Sequence, residues 1–189
     1  MTRVPVRHFE DGYRDDLDPW DFAGRFSEQR RYDLTVAALP RDHYRRAFEP
    51  ACAVGELTRR LATRCDEVVA SDCVAAVVEH ARATQCHLTN VVWSVGSVPE
   101  HWPGGRFDLV VLSELGYYFS PDELTILRER AVRSLEQQGT LLAVHWLGHS
   151  PDHLLHGDEV HAVLAAEEAL ERGGGYRDDG FRLDWWSRR

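Results

Sequence analysis

Apolar residues in this chain fall into short continuous runs, and stretches with helical spacing separate them. From residue 46 onward the two kinds of segment alternate. Ala47-Phe48-Glu49 predicts a short strand, and Gly55 to Arg64 predicts a helix with Leu57 and Leu61 on one face. Val68-Val69-Ala70 predicts a strand, Val74 to Ala83 a helix, and Leu88 to Val95 a strand. Phe107 to Leu112 (F-D-L-V-V-L) is a near-continuous apolar run of the kind buried on both faces of a sheet. Ser120-Pro121-Asp122-Glu123 is a helix start, with Ser as N-cap, Pro at the first helical position and Glu at the third. That helix is expected to run through Leu124, Leu127, Ala131 and Leu135 and to stop at Gly139. Thr140 to Trp146 predicts a fifth strand and Asp158 to Leu170 a last amphipathic helix. Gly173-Gly174-Gly175 and Asp178-Asp179-Gly180 read as turns, and Phe181 to Ser187 as a final strand.

Ahead of this region, Asp11 to Asp21 reads as an irregular lead-in. Ser27 to Leu39 reads as a helix capped by Ser27. Strands alternating with helices predict an α/β fold with a Rossmann-like, doubly wound and mostly parallel sheet. In such sheets ligands bind outside the carboxyl ends of the strands. Glu49, Asp72, Ser97, Glu114 and the region after Trp146 fall at those ends. Little chain follows the last helix, so the expected antiparallel hairpin reads as truncated, with part of a substrate pocket supplied elsewhere or by a partner subunit.

Composition narrows the class. The 189 residues suit one domain with its own core, and 43% apolar with 28% charged residues is ordinary for a globular protein. A net charge of −9 argues against nucleic acid or an anionic membrane as partner, because both need a basic footprint. Cys52, Cys65, Cys73 and Cys86 form no C-x-x-C pair, which predicts neither a disulfide framework nor a zinc knuckle. With no signal-like apolar segment at M-T-R-V-P-V-R-H-F-E and no membrane-length run, the expectation is a cytoplasmic protein. The composition leaves oligomeric state open.

The chemistry concentrates between Phe48 and Asp72. A short apolar segment ends in Glu49, a loop of small residues follows at Ala51, Ala53 and Gly55, and a second apolar segment ends in Asp72. Dinucleotide loops read G-x-G-x-x-G, so that backbone can approach a pyrophosphate. The register here is A-x-A-x-G with an acid in front, and that acid would repel a pyrophosphate. It fits the S-adenosylmethionine loop, E/D-x-G-x-G-x-G, in which no phosphate passes the backbone. Asp72 sits where an acid accepts hydrogen bonds from two ribose hydroxyls, and it can equally cap the helix after it. Cys73 lines the adenine face by position. The next strand end, W-S-V-G-S-V-P, offers Ser97 or backbone near Val98 in place of an adenine-binding Asp.

Three longer stretches carry a resemblance. They are D-P-W-D-F with F-S-E-Q-R-R-Y (Asp18 to Tyr32), E-P-A-C-A-V-G-E-L-T-R-R-L-A, and F-D-L-V-V-L-S-E-L-G-Y-Y-F with L-L-A-V-H-W and G-D-E-V-H. Together they span most of the chain, and it resembles the class I S-adenosylmethionine-dependent methyltransferases, within them the NodS family. The resemblance implies a helical cover over residues 1–45, a Rossmann-like core over 46–189, S-adenosylmethionine as cofactor and N-methyl transfer to a small polar acceptor such as an amino sugar. It places Trp20 and Arg31 near the cofactor, Arg31 as a fork for a carboxylate and Trp20 as a ring over a sulfonium. Glu49 and Ala51 would contact the methionine part, and Ser113 and Glu114 close the fourth strand.

An amine must reach the methyl group neutral, so Glu114 or His145 is a candidate proton acceptor. Tyr117, Tyr118 and Trp146 suit a pocket wall. Each residue has an ordinary structural alternative: a surface arginine, core aromatics, a turn-capping glutamate. The histidine run His145, His149, His153, His156 and His161 lacks an H-E-x-x-H register and crosses three kinds of element, which predicts no metal site. O-methyl transfer, a nucleotide-cofactor oxidoreductase and a non-catalytic binding protein remain open at this point.

Overall fold

The structure is a computed structural model that describes residues 2–189. Its seven strands form one mixed sheet in the order β3-β2-β1-β4-β5-β7-β6, counting strands along the chain. This is the α/β, Rossmann-like and mostly parallel arrangement that the sequence predicts, with an antiparallel hairpin at one edge. The chain divides into two compact units, Pro5–Pro103 and Gly104–Arg189, the latter joined by Thr2–Val4.

In the first unit, α1 (Val6–Gly12) and α2 (Phe26–Ala37) precede β1 (Tyr44–Pro50), α3 (Glu56–Leu61), β2 (Cys65–Asp72), α4 (Ala75–Thr84) and β3 (Val91–Val95). The three strands pair in parallel, with Glu49 opposite Ala70 and Asp72 opposite Val95. α1 was not visible in the sequence pattern, because none of its residues is buried. α2 starts one residue before Ser27, with Arg25 at the N-cap, so Ser27 does not cap it. α3 is shorter than the predicted Gly55–Arg64. Gly55 is its N-cap in a left-handed conformation, and the chain turns into β2 directly after Arg64.

In the second unit, β4 (Phe107–Ser113) is buried at every position, as its apolar run predicts. After it come α5 (Pro121–Ser134), β5 (Leu135–Trp146), α6 (Gly157–Ala165), β6 (Leu170–Arg177) and β7 (Phe181–Arg188). The Ser120 hydroxyl caps α5 as expected, accepting from the Glu123 N–H at 3.4 Å. β4 and β5 are parallel, whereas β7 runs antiparallel to both β5 and β6. Among the described residues no helix is long and apolar enough to cross a membrane.

The C-terminal region corrects the sequence reading three times. The expected helix to Leu170 ends at Ala165, and Gly173-Gly174-Gly175 lies inside β6 rather than in a turn. The hairpin of β6 and β7 is complete rather than truncated. Its turn is Asp178-Asp179-Gly180, where Asp178 Oδ1 accepts the N–H groups of Gly180 and Phe181 at 2.9 and 3.0 Å. The glycines make room for an indole. A Cβ on Gly173 would stand 1.8 Å from Cζ3 of Trp185, and the β6–β7 register shifts between Arg172 and Gly174. Glycine inside a strand here marks a close approach, which composition alone cannot tell from a turn.

Gly173→Ala is therefore expected to cost about 1–3 kcal/mol by overpacking. In a Trp185→Ala background the same change is expected to cost much less, and a urea-denaturation double-mutant cycle measures the difference.

Candidate active site

The site residues fall into two groups, one in each unit. The first lies at the carboxyl ends of β1 and β2. Ala51, Ala53 and Gly55 have φ of 59°, 46° and 83°, so all three small-residue positions of the loop are left-handed. Only glycine adopts this region without cost, and an alanine there is strained by roughly 1–2 kcal/mol. Gly55 is required on a second ground, since a Cβ there would meet Cη2 of Trp93 at 2.8 Å. Trp93, on β3, is a packing partner of the loop that the sequence did not single out.

The two acids hold this loop from either side. The Glu49 carboxyl is buried and its Oε2 accepts the Thr58 hydroxyl at 2.6 Å. Burial pushes its pKa from 4.5 up to about 8; the Thr58 hydrogen bond opposes the shift and the nearby Asp72 adds to it. Asp72 is also buried. It accepts the Ala53 N–H at 3.1 Å and the Val74 N–H at 3.0 Å. Its pKa is raised by burial against those hydrogen bonds. The helix-cap and loop-binding readings of Asp72 are thus both visible, one through Val74 and one through Ala53. Burial also pushes the neighbouring Cys73 thiol up to about 12.

The N-terminal segment packs on this loop. Phe9, Leu17 and Phe22 join Tyr13, Val54, Val74 and Val77 in one apolar cluster, with Cys73 against it. Trp20 stacks on Phe22 with ring centroids 5.5 Å apart and meets Tyr13 edge-on at 5.1 Å. It stays 38% exposed, so it is no core tryptophan. Arg31 is buried on α2 and already pairs with Glu28, its Nη1 donating to Glu28 Oε1 at 3.3 Å and its Nη2 to Oε2. That disposes of the surface-arginine alternative, and a ligand carboxylate there would have to share the fork with Glu28. Sequence reasoning missed the adjoining network, in which Arg60 binds Gln29 at 2.6 Å and Asp33 at 2.6 Å. Ser97 lies in the loop after β3 and accepts the His101 N–H through its carbonyl at 3.0 Å, and Val98 beside it is buried.

The second group lies at the ends of β4 and β5. Ser113 is buried at the last position of β4. Glu114 follows with φ 54°. Its Oε1 accepts the Trp146 N–H and its Oε2 the Tyr117 hydroxyl, both at 2.7 Å. The carboxylate thus ties the end of β5 to the 3₁₀ turn Gly116–Tyr118. Tyr117 and Tyr118 meet edge-on at 4.9 Å, and the His153 ring stacks on Tyr117 at 3.7 Å. Trp146 is 38% exposed, which suits a wall rather than core.

His145 does not have the surroundings of a proton acceptor. It is fully buried, and its Nε2 accepts the Gly116 N–H at 3.0 Å. That bond leaves the ring proton on Nδ1, which faces His161 Nε2 at 3.2 Å. His161 Nδ1 in turn donates to Asp184 Oδ2 at 2.7 Å. Burial works to raise the Asp184 carboxyl, but hydrogen bonds from His161, Arg172 and Arg182 win and hold it at about 2. His145 is thus a positioning residue that fixes the turn carrying Tyr117. Its Nε2 lone pair is used inside the fold.

Two outcomes follow for the loop. Ala51→Gly and Ala53→Gly are each expected to raise unfolding free energy by about 0.5–1 kcal/mol, the strain relieved exceeding the added chain entropy. Gly55→Ala is expected to lower it by about 2–4 kcal/mol, and chemical denaturation compares all three. The pH dependence has a fixed sign. Between 4.5 and about 8 the folded Glu49 keeps a proton that the unfolded chain has released, so stability falls as pH rises through that window. Glu49→Gln keeps an acceptor for Thr58 and does not titrate. Its stability relative to the native chain is expected to increase from about pH 5 to pH 8.5, and a constant difference would refute this origin.

Comparison with known proteins bears on the family and the fold. A model of the Nodulation protein S (NodS) family matches residues 10–145. Nodulation protein S of Rhizobium tropici is 28% identical over 102 residues, 53% of this chain and 43% of that protein. The match spans less than half the length of each curated relative. A crystal structure of a Pseudomonas syringae protein assigned as a methyltransferase is 41% identical, covers 87% of this chain and 100% of that one, and has a TM-score of 0.77. The N-methyltransferase NodS of Bradyrhizobium japonicum WM9, in complex with S-adenosyl-L-homocysteine, has a TM-score of 0.85 over 97% of both chains at 19% identity, a likeness of fold. With most of its length matched by the family model, and with the loop and strand-end acids arranged as described, this chain belongs to the NodS family.

Proposed function

We propose that this protein is an S-adenosylmethionine-dependent methyltransferase that acts on nitrogen of a small polar acceptor, an amino sugar or a similar metabolite. The observation that carries the reading is the loop between Glu49 and Asp72. Its three small residues are all left-handed, and Asp72 clamps it through the Ala53 N–H. No basic residue lies between Glu49 and Gly55 to balance a pyrophosphate, and two carboxyl groups border the loop. That set of groups suits a hydroxyl-bearing, cationic ligand and disfavours a dinucleotide. When bound, the cofactor supplies an electrophilic methyl carbon on a sulfonium.

In this reading Asp72 accepts the ribose hydroxyls, and Glu49 and the Ala51 backbone receive the methionine part. Cys73, Ser97 and Val98 border the adenine, and Gly55 keeps the loop tight against Trp93. Trp20, Arg31 and the segment packed on Val54 and Val74 form the cover assigned to residues 1–45, over a core of residues 46–189. Ser113 and Glu114 close β4, and Tyr117, Tyr118 and Trp146 wall the acceptor. The enzyme mainly supplies orientation, since the methyl carbon is already activated. A cytoplasmic location is part of the reading, consistent with four free cysteines.

Titration calorimetry with S-adenosylmethionine, S-adenosylhomocysteine and NAD is the direct test. Both adenosyl compounds are expected to bind, and Asp72→Asn to weaken them about tenfold to a hundredfold. Binding of NAD alone would overturn the assignment in favour of an oxidoreductase. An acceptor screen of amino sugars against their N-acetyl forms then separates nitrogen from oxygen transfer, since methylation of the N-acetyl forms alone would move the reaction to oxygen.

A further inference from the structure

His153 lies in the connection between β5 and α6, outside the regular elements. That connection is pinned to the aromatic turn after β4, where the Tyr117 carbonyl accepts the N–H groups of Leu154 and Leu155 at 2.8 and 3.3 Å. The imidazole lies flat on Tyr117, at 16° and 3.7 Å. It meets Tyr118 edge-on at 5.3 Å and Trp146 edge-on at 6.0 Å. His153 thus completes the wall that Tyr117, Tyr118 and Trp146 begin. Its half-buried ring also stands next to the group that Glu114 organises.

The ring nitrogens set it apart from His145, His156 and His161, and its stack on Tyr117 sets it apart from His149, whose ring contacts His156. His145 and His161 are consumed in the chain that ends on Asp184, and His156 caps α6 while its Nε2 bonds the Leu147 carbonyl. Neither ring nitrogen of His153 has a hydrogen-bond partner among the described residues. Glu114, by contrast, uses both oxygens on Trp146 and Tyr117. A carboxylate so engaged keeps lone pairs for an incoming cation but is poorly placed to take a proton and release it.

We propose that His153 is the catalytic base of the methyl transfer, taking the proton from the acceptor nitrogen while Glu114 anchors that nitrogen's positive charge. The proposal rests on the methyltransferase reading and names the one residue that reading lacks. The acceptor enters as an ammonium and gives one proton to the His153 imidazole. The freed lone pair on nitrogen forms the bond to the methyl carbon, and the carbon–sulfur bond breaks with its electron pair left on sulfur. The products are a methylated ammonium, a neutral thioether and a protonated imidazole, which loses its proton to solvent. The groups facing the ring favour its neutral form at rest. Burial lowers its pKa, Asp152 and Glu114 pull the other way, and His149 and His156 lower it further, for a net position below the usual 6.5. Tyr117 and Tyr118, whose rings pack against the imidazole, are the titratable residues of the adjoining turn.

His153→Phe keeps a ring to stack on Tyr117 and removes the proton acceptor. With S-adenosylmethionine and a de-N-acetylated chitin tetramer as probe, the native enzyme is expected to show an acid limb in kcat. His153→Phe is expected to lose that limb and about 10²- to 10⁴-fold in kcat near neutral pH, with calorimetric S-adenosylhomocysteine affinity unchanged. A variant within threefold of the native kcat, with the limb intact, overturns the inference. A second readout needs no turnover. Diethyl pyrocarbonate followed by peptide mass spectrometry is expected to modify His153 and spare His145 and His161, and the tetramer with S-adenosylhomocysteine is expected to protect it at least fivefold. An unreactive or unprotected His153 overturns the inference as well. If the native protein binds neither adenosyl compound, the methyltransferase reading itself has failed, which is seen before any His153 variant is made.

Discussion

Two buried carboxyl groups at the ends of adjacent parallel strands set the terms for the first half of this protein. Glu49 and Asp72 lie at the carboxyl ends of β1 and β2 with no cationic hydrogen-bond partner among the described residues, so the local structure satisfies them with neutral donors. Thr58 supplies one from α3, and the backbone N–H groups of Ala53 and Val74 supply two more. The Ala53 N–H reaches Asp72 from a loop in which Ala51, Ala53 and Gly55 are all left-handed. The strain of that loop and the hydrogen bond to Asp72 go together. Burial makes the second partner necessary, because an unsatisfied buried carboxylate costs several times what one strained alanine does.

The second unit repeats the device with different parts. Glu114 directly follows parallel strand β4, itself has positive φ where in the first unit the loop residues do, and, like Asp72, accepts a backbone N–H, here that of Trp146 at the end of β5. Its second oxygen holds the Tyr117 hydroxyl, so one side chain sets the strand end and the aromatic turn together. Beneath that turn, His145 receives the Gly116 N–H and passes its own bond through His161 to Asp184 on β7. The complete C-terminal hairpin is what supplies Asp184 and its arginines, so the position of Tyr117 depends on a segment that a count of residues suggested was too short to matter.

Legibility in the sequence followed burial. β4 and the core of β5 were plain because runs such as F-D-L-V-V-L have no soluble alternative, and the Ser120 cap was plain because its chemistry is local. Both strand-end acids could be placed because a change from apolar run to carboxylate is itself the signal. What failed depended on partners distant in sequence. Gly173 to Gly175 read as a turn until Trp185 was seen to need their space. His145 looked available until its bond to Gly116 was visible. The pairing of Arg31 with Glu28 is a local feature by contrast, and the i,i+3 spacing on a helix was its clue.

The histidine run shows why residue type and spacing carry so little chemistry without geometry. Five histidines between residues 145 and 161 invite one common explanation, yet their surroundings give them different ones. Two are buried in a chain of hydrogen bonds, and one caps a helix. His153 differs because stacking on Tyr117 fixes its plane without using its nitrogens. Aromatic stacking contributes on the order of 1 kcal/mol and carries no proton requirement, so it can hold an imidazole in place and leave both nitrogens available. A hydrogen bond at one ring nitrogen would orient the ring as well and leave the other nitrogen for acid–base chemistry, whereas stacking leaves both. Stacking is thus one way to hold a histidine that remains reactive, and in the run from 145 to 161 it is His153 that combines a ring stacked on Tyr117 with the nearby carboxylate of Glu114.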